Sequence, residues 1–335
     1  MQKKFTIFGG LLGAWACAAG VLAAPSAALA QEKVTYNMAW LPQGSSIGVM
    51  VAKEQGLFAK EGLEVDIVRG YGGNRTVNEL DQGQYEFGYV DPVSLVLNHA
   101  NGGKVRMVGA INTTWPAGIC FDAKRHAIKG LDDMKGLTMG GGSASPVQNV
   151  VPEWLELNGK PKDFIRLLRM DPAVIDASLV EGKLDLAECW RASNRAVVQK
   201  RADAAGVTLG WIEYSDFGLD AYGSGFATRA DLIEKKPEVV RKFLKASYAG
   251  YEFAQKQPEQ AAAIMTKLYP TIDPNVALMQ IQDINTLLVD PGAKDQGLGY
   301  LRPDRMDATV KFITKAFDIK SDIKPDDLYT NKLLK

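Results

Sequence analysis

Apolar positions along the chain switch between two periods. Residues 63–68 alternate apolar and polar side chains as a half-buried strand does, whereas Ile47, Met50, Val51 and Phe58 recur at helical spacing. Reading onward in this way predicts strands over 34–40, 63–68, 85–90 and 105–111. Between them lie helices starting at Ser45-Ser46, running over 74–81, and running from Pro92 to Asn101. A strand–helix–strand order of this kind requires parallel neighbours. A second α/β unit follows, with strands over 119–121, 137–139, 164–168, 184–187 and 207–214. Its helices are expected up to Leu157, over 173–181 and over 194–205. Gly140-Gly141-Gly142 reads as a permissive turn ahead of the first of these helices, and with no lysine after it, not as a phosphate cradle. Residues 222–228 read as a strand leading out of the unit. From Pro237 the pattern is helical, over 237–255, 258–268, 274–288 and 304–317, with prolines favouring helix starts. Such a tail has no strands of its own and is expected to pack back on the first unit.

One phrase occurs twice, 99 residues apart. Leu80–Gly88 and Leu179–Ala187 both read Leu-x-x-Gly-x-x-acid-apolar-small, a helix closing on a glycine and running into a strand. Equivalent places in two similar lobes explain it most simply. The expected fold is therefore α/β with two lobes, each a mostly parallel sheet flanked by helices. Lobe I comprises 31–115 and 226–335, lobe II comprises 116–225, and the chain crosses twice, near 114–118 and 222–228.

Residues 1–30 read as a secretory signal peptide. Lys3 and Lys4 precede an apolar stretch to Ala24, and Ala28-Leu29-Ala30 before Gln31 forms a cleavage motif. Glycines at 9, 10, 13 and 20 break the stretch and argue against a membrane span, and no other segment reaches roughly 18 apolar residues. The product is expected to be exported, soluble and monomeric. The full chain balances 39 basic against 39 acidic residues, so the exported part carries a net charge of about −2 with no basic run, which excludes nucleic acid as a partner. Cys120 and Cys189 remain after cleavage. Two isolated buried thiols are the simpler reading, and a disulfide stays open in an oxidising compartment.

His99 and His126 stand apart from other metal-binding residues, and the hydrolase, nucleotide and dinucleotide motifs are missing. No metal or cofactor and no enzyme activity are expected. In open α/β sheets ligands sit at the carboxyl ends of strands, which nominates the loops there. From lobe I these supply Trp40, Gln43, Tyr71, Asn74, Asp91 and Trp115. From lobe II they supply Ser143, Ser145, Glu188, Trp190 and Asp216, with Tyr222 near the return crossing. The aromatic residues suit a flat, partly apolar ligand held by stacking. Helix starts at Asn74, Ser143 and Ser145 would donate hydrogen bonds, while Asp91 and Glu188 would accept them and so oppose a bare oxyanion unless they face away as caps.

The segment Val51-Ala52-Lys53-Glu54-Gln55-Gly56-Leu57-Phe58-Ala59-Lys60-Glu61-Gly62-Leu63-Glu64-Val65 resembles the first helix and strand of the ABC-transporter solute-binding proteins of the nitrate/sulfonate/taurine and thiamine-pyrimidine-precursor class. Both repeated phrases, Leu131–Gly136 and Lys236–Leu244 continue the likeness. It implies a two-lobe periplasmic binding fold of type II that closes on a solute and delivers it to a membrane permease driven by an ATPase. The pyrimidine-precursor members open with Asp-Trp-x-Pro-Asn. Here Ala39-Trp40-Leu41-Pro42-Gln43 keeps the Trp and Pro and lacks the Asp and Asn. A small aromatic or heterocyclic compound is the expected solute, a sulfonate, nitrate or other small organic anion the alternative, and an exported pyrimidine-modifying enzyme of the same fold the rival that ranks behind both.

Overall fold

The computed structural model describes residues 31–143 and 145–334; the expected signal peptide lies outside them. The first sheet is entered through β1 (Glu32–Asn37), followed by α1 (Ile47–Glu54), α2 (Leu57–Lys60), β2 (Leu63–Val68), α3 (Gly73–Asp81), β3 (Phe87–Val90), α4 (Pro92–Ala100) and β4 (Val105–Ala110). The chain then crosses into β5 (Ala117–Asp122), β6 (Thr138–Gly142), α5 (Val147–Leu157), β7 (Arg166–Met170), α6 (Pro172–Val180), β8 (Leu186–Trp190), α7 (Asn194–Ala205) and β9 (Leu209–Glu213). It returns through β10 (Gly225–Arg229) to a helical tail of α8 (Ala230–Lys235), α9 (Pro237–Lys256), α10 (Pro258–Leu268), α11 (Pro274–Leu287), α12 (Pro303–Ala316) and α13 (Pro325–Leu328).

Each sheet has five strands, in the orders β2-β1-β3-β10-β4 and β7-β6-β8-β5-β9. Three strands of each are parallel, β2-β1-β3 in one and β7-β6-β8 in the other. The strand that arrives from the other lobe, β10 or β5, runs antiparallel to both of its neighbours. The two sheets thus superpose in order, with β3 and β8 at their centres. Both copies of the repeated phrase end in those central strands, after α3 and α6. Two lobes of α/β architecture match the expectation, and the sheets are mixed because each takes in one crossing strand, an orientation that periodicity does not encode.

Three features differ from the sequence reading. Gly140, Gly141 and Gly142 lie in β6, paired with Leu168, Arg169 and Met170, and do not form a turn. They are tolerated there because side chains from α5 and from the link before β8 press on the strand: a Cβ on Gly140 would meet Leu184, and one on Gly141 would meet Val147. The tail does pack on the first lobe, where Phe243 of α9 stacks on Phe87 with ring centroids 3.8 Å apart and Gly250 lies directly on the Gly48 carbonyl of α1. It also reaches the second lobe. Asp283 of α11 accepts from the Ala192 amide at 3.1 Å and pairs with Arg195 at 3.4 Å, and Lys315 of α12 pairs with Glu156 at 2.6 Å. Finally, Cys120 and Cys189 are not isolated thiols: they form a disulfide across the antiparallel β5–β8 pair, with Cα atoms 5.9 Å apart and both residues buried.

Candidate functional site

The strand ends of the two sheets face one another across a cavity of about 400 Å3, a volume suited to a small organic molecule. Its first-lobe wall is built by two helix starts. Gly72, at a φ of 117°, sends its amide to the Ala39 carbonyl at 2.7 Å and lets α3 begin at Gly73 without any side-chain cap. The first-turn N–H groups of α3 are therefore free of side-chain acceptors, and Asn74 and Arg75 carry that turn into the cavity wall. Beside it α4 is capped by Asp91, which accepts from the Ser94 amide at 2.9 Å and the Ser94 hydroxyl at 2.6 Å. Gly73 admits this close approach, since a Cβ there would strike the Asp91 carboxylate.

The second-lobe wall is the turn between β6 and α5. Ser143, Ser145, Pro146, Gln148 and Asn149 line it, with Arg169 at the end of β7 and Phe317 after α12. Ser145 holds the turn together: its amide donates to the Gly142 carbonyl at 3.0 Å, and its hydroxyl accepts from the Val147 amide at 3.2 Å and donates to Glu188. Glu188 is 5% exposed and also receives the Gly142 amide at 3.0 Å and the Trp190 indole N–H. Burial pushes its carboxyl above the ordinary glutamate range, and these donors hold the rise down.

Cations outnumber free acids around the cavity. The Arg69 and Arg75 guanidinium carbons lie 4.3 and 4.8 Å from the Tyr71 ring centroid, and Arg75 pairs with Glu79 at 2.6 Å. Arg169 is exposed and makes no ion pair among the described residues. Both acids nominated as acceptors are occupied within the protein, Asp91 as a helix cap and Glu188 behind the turn. Asp91 stays in the cavity wall with both oxygens engaged by Ser94, while Glu188 sits behind the turn, which weakens the objection to an oxyanion.

Tyr71, Asn74, Asp91, Ser143 and Ser145 therefore line one cavity, while the other nominated residues stand elsewhere. Glu188 lies behind Ser145. Trp190 lies beyond it, 6.0 Å centroid to centroid from Trp115, which is packed into the core. Trp40 is 43% exposed on the loop beside Tyr71, where its carbonyl accepts from the Gly70 amide at 3.0 Å. Gln43 is buried and accepts the Ser193 hydroxyl of the second lobe at 2.6 Å. Asp216 is an exposed turn cap that accepts from the Glu213 amide at 3.3 Å. Tyr222 is buried against the tail, its hydroxyl accepting from the Arg302 amide at 2.7 Å. Sequence reasoning missed Arg75, Ser94, Gln148, Asn149, Arg169 and Phe317. The strand-end rule would have found Arg169 had β7 been taken to Met170; Phe317 arrives from the distant tail and carried no signal.

Comparison with known proteins is consistent with this architecture. A riboflavin-binding protein of Chloroflexus aurantiacus is 24% identical over 334 residues, 93% of this chain and 88% of that one. A formylaminopyrimidine-binding protein of Halalkalibacterium halodurans is 23% identical over 237 residues, 70% of each chain. The solved aliphatic sulphonate binding protein of Escherichia coli shares the fold, with a TM-score of 0.64 at 16% identity over 89% of this chain and 91% of that chain. The family model described as NMT1/THI5 like matches residues 43–261, well over half of the sequence, and the chain belongs to that family.

Proposed function

We propose that this chain is the extracytoplasmic solute-binding component of an ABC importer, holding a small, flat aromatic or heterocyclic compound that carries a negative charge. Lobe I (31–115 and 226–335) and lobe II (116–225) close on the solute, and the closed form is what the permease receives. The carrying observation is the cavity between the two sheets, with cations on both walls and the carboxylates of Asp91 and Glu188 engaged by donors of the protein. Tyr71 and, from the helical tail, Phe317 each bring an aromatic ring, the start of α3 has no side-chain cap, and Arg169 has no competing carboxylate among the described residues. The names of the two heterocycle-binding relatives favour a ring, and the fold neighbour's sulphonate favours the charge. A small organic anion without a ring is the second reading, favoured because none of the tryptophans among the described residues lines this cavity.

Capture without conversion fits a wall of amides, hydroxyls and guanidinium groups that bind and orient, with no histidine or cysteine among its described lining residues. Closure needs differential contact with the two lobes, about 5.5 kcal/mol for a complete switch from open to closed, and charge-assisted bonds from opposite walls are of that order. The test is a thermal-shift screen of neutral pyrimidines, aromatic carboxylates, aromatic and alkyl sulfonates and nitrate. Aromatic anions should raise the melting temperature most, since a ligand of the folded state stabilises it by mass action. A response to neutral pyrimidines alone would overturn the charge, and turnover of any compound would overturn the binding role.

A further inference from the structure

We propose that Glu188 is a positioning residue: its buried carboxylate clasps Gly142 and Ser145 and holds the second-lobe wall of the cavity, acting on a solute through Ser145 without touching it. That the wall serves a solute rests on the function proposed above; the clasp itself rests on geometry.

The turn has few other restraints. Ser143 donates its amide to the Met170 carbonyl at 3.0 Å, and Ser145 donates its own to Gly142 at 3.0 Å. The Val147 amide donates to the Ser145 hydroxyl at 3.2 Å and the Asn149 and Val150 amides to the Pro146 carbonyl at 3.0 Å, and the remaining bonds that tie the described residues of the turn to the sheet converge on Glu188. One carboxylate oxygen accepts the Gly142 amide, the last residue of β6, while the other accepts the Ser145 hydroxyl and the Trp190 indole. The carboxylate thus ties the end of β6, Ser145 two residues before α5 and the end of its own strand to a single point. Its own position is fixed by the Cys120–Cys189 bridge at the next residue and by Asn194, whose side-chain amide donates to the Glu188 carbonyl at 3.2 Å and to Asp176 of α6 at 3.2 Å. The groups that face Glu188 are neutral or acidic: Ser145 from the turn, Trp190 from β8, Tyr214 after β9 and Asp176 from α6. No lysine or arginine pairs with it among the described residues. A buried, unpaired carboxylate costs stability and is retained where it holds something in place.

The charge of the clasp is readable. Burial and the nearby Asp176 raise the Glu188 carboxyl above the usual glutamate range. With the folded-state value above the unfolded one, its contribution to stability is full in acid and is lost as pH rises through the raised value. The test uses the exported chain without any solute. In the nitrogen-15 spectrum of the wild type, the Trp190 indole N–H should titrate with a midpoint above that of an ordinary glutamate, and in Glu188→Gln that titration should vanish. Amide exchange read by mass spectrometry should rise several-fold in residues 141–149 for Glu188→Gln and for Ser145→Ala, with little further rise in the double variant. Additive rises, a rise spread over the whole lobe, or an indole resonance that does not titrate would overturn the clasp. Should Glu188→Gln fail to fold, Ser145→Ala and the wild-type titration still decide. No solute enters these measurements, so they can fail while the importer reading stands, or succeed while it falls.

Discussion

Replacing both Cys120 and Cys189 by alanine is expected to lower the unfolding free energy by about 4 kcal/mol, the chain-entropy value for a cross-link spanning some 70 residues. The bridge closes a loop of sequence separation 69 that holds β6, α5, β7, α6 and most of β8, so the unfolded chain gains the most freedom when it is cut. Both sulfurs are buried in a small cluster with Ile175, Leu179, Leu184 and Val198, where the alanines remove little packing beyond the bridge itself. Urea unfolding of the wild type, oxidised and reduced, and of the double variant measures the difference. The reduced wild type and the variant should unfold at nearly the same, lower urea concentration. Coincident midpoints for oxidised and reduced protein would show that the cross-link contributes nothing.

Arg169→Ala should weaken binding of an anionic solute by roughly ten- to a hundredfold, the equivalent of about 1.5–3 kcal/mol for a charge-assisted hydrogen bond. Stability should not change, because the side chain is exposed and makes no ion pair among the described residues. The wild-type affinity should fall as salt is raised and the variant's should respond less, since an exposed charge is screened. Arg169→Lys should recover only part of the loss, because an ammonium cannot present the two parallel donors of a guanidinium. Calorimetric titration at two ionic strengths separates these outcomes. Equal affinities for wild type and Arg169→Ala would remove the second-lobe cation from the account.

Much of the fold was legible because local rules and tertiary packing agree. The alternation over Leu63–Val68 became β2 with the same ends, and the helices Asn194–Ala205 and Pro258–Leu268 begin and end where the pattern placed them. Prolines stand at the first helical position of α9 through α12, where a missing N–H costs nothing. What failed was information that no local window holds. The three glycines of β6 look like a turn until Leu184 and Val147 are seen to need the space. Strand direction for β5 and β10 is set by the crossings, and the reach of α11 and α12 to the second lobe depends on partners such as Ala192 and Glu156 that lie far away in sequence.

The site divides along the same line. Tyr71, Asn74, Asp91, Ser143 and Ser145 were findable because strand ends and helix starts converge on the cavity by topology alone. Trp115, Tyr222 and Gln43 occupy similar loops, yet their side chains turn into the core, onto the tail and across to Ser193. A loop's address is written in the sequence; the direction of each side chain depends on its neighbours in space. Asp91 and Glu188 illustrate the consequence: the sequence offers both as acceptors for a ligand, and their partners prove to be Ser94, Gly142, Ser145 and Trp190 within the protein.

The most direct measurement is a crystal structure of residues 31–335 with the aromatic anion that most raises their melting temperature. The account predicts that compound between the two sheets, its charged group within hydrogen-bonding distance of Arg169 or the first turn of α3 and its ring beside Tyr71 or Phe317. A compound bound outside the interlobe cavity, or seated there with its charge turned away from both walls, would contradict it.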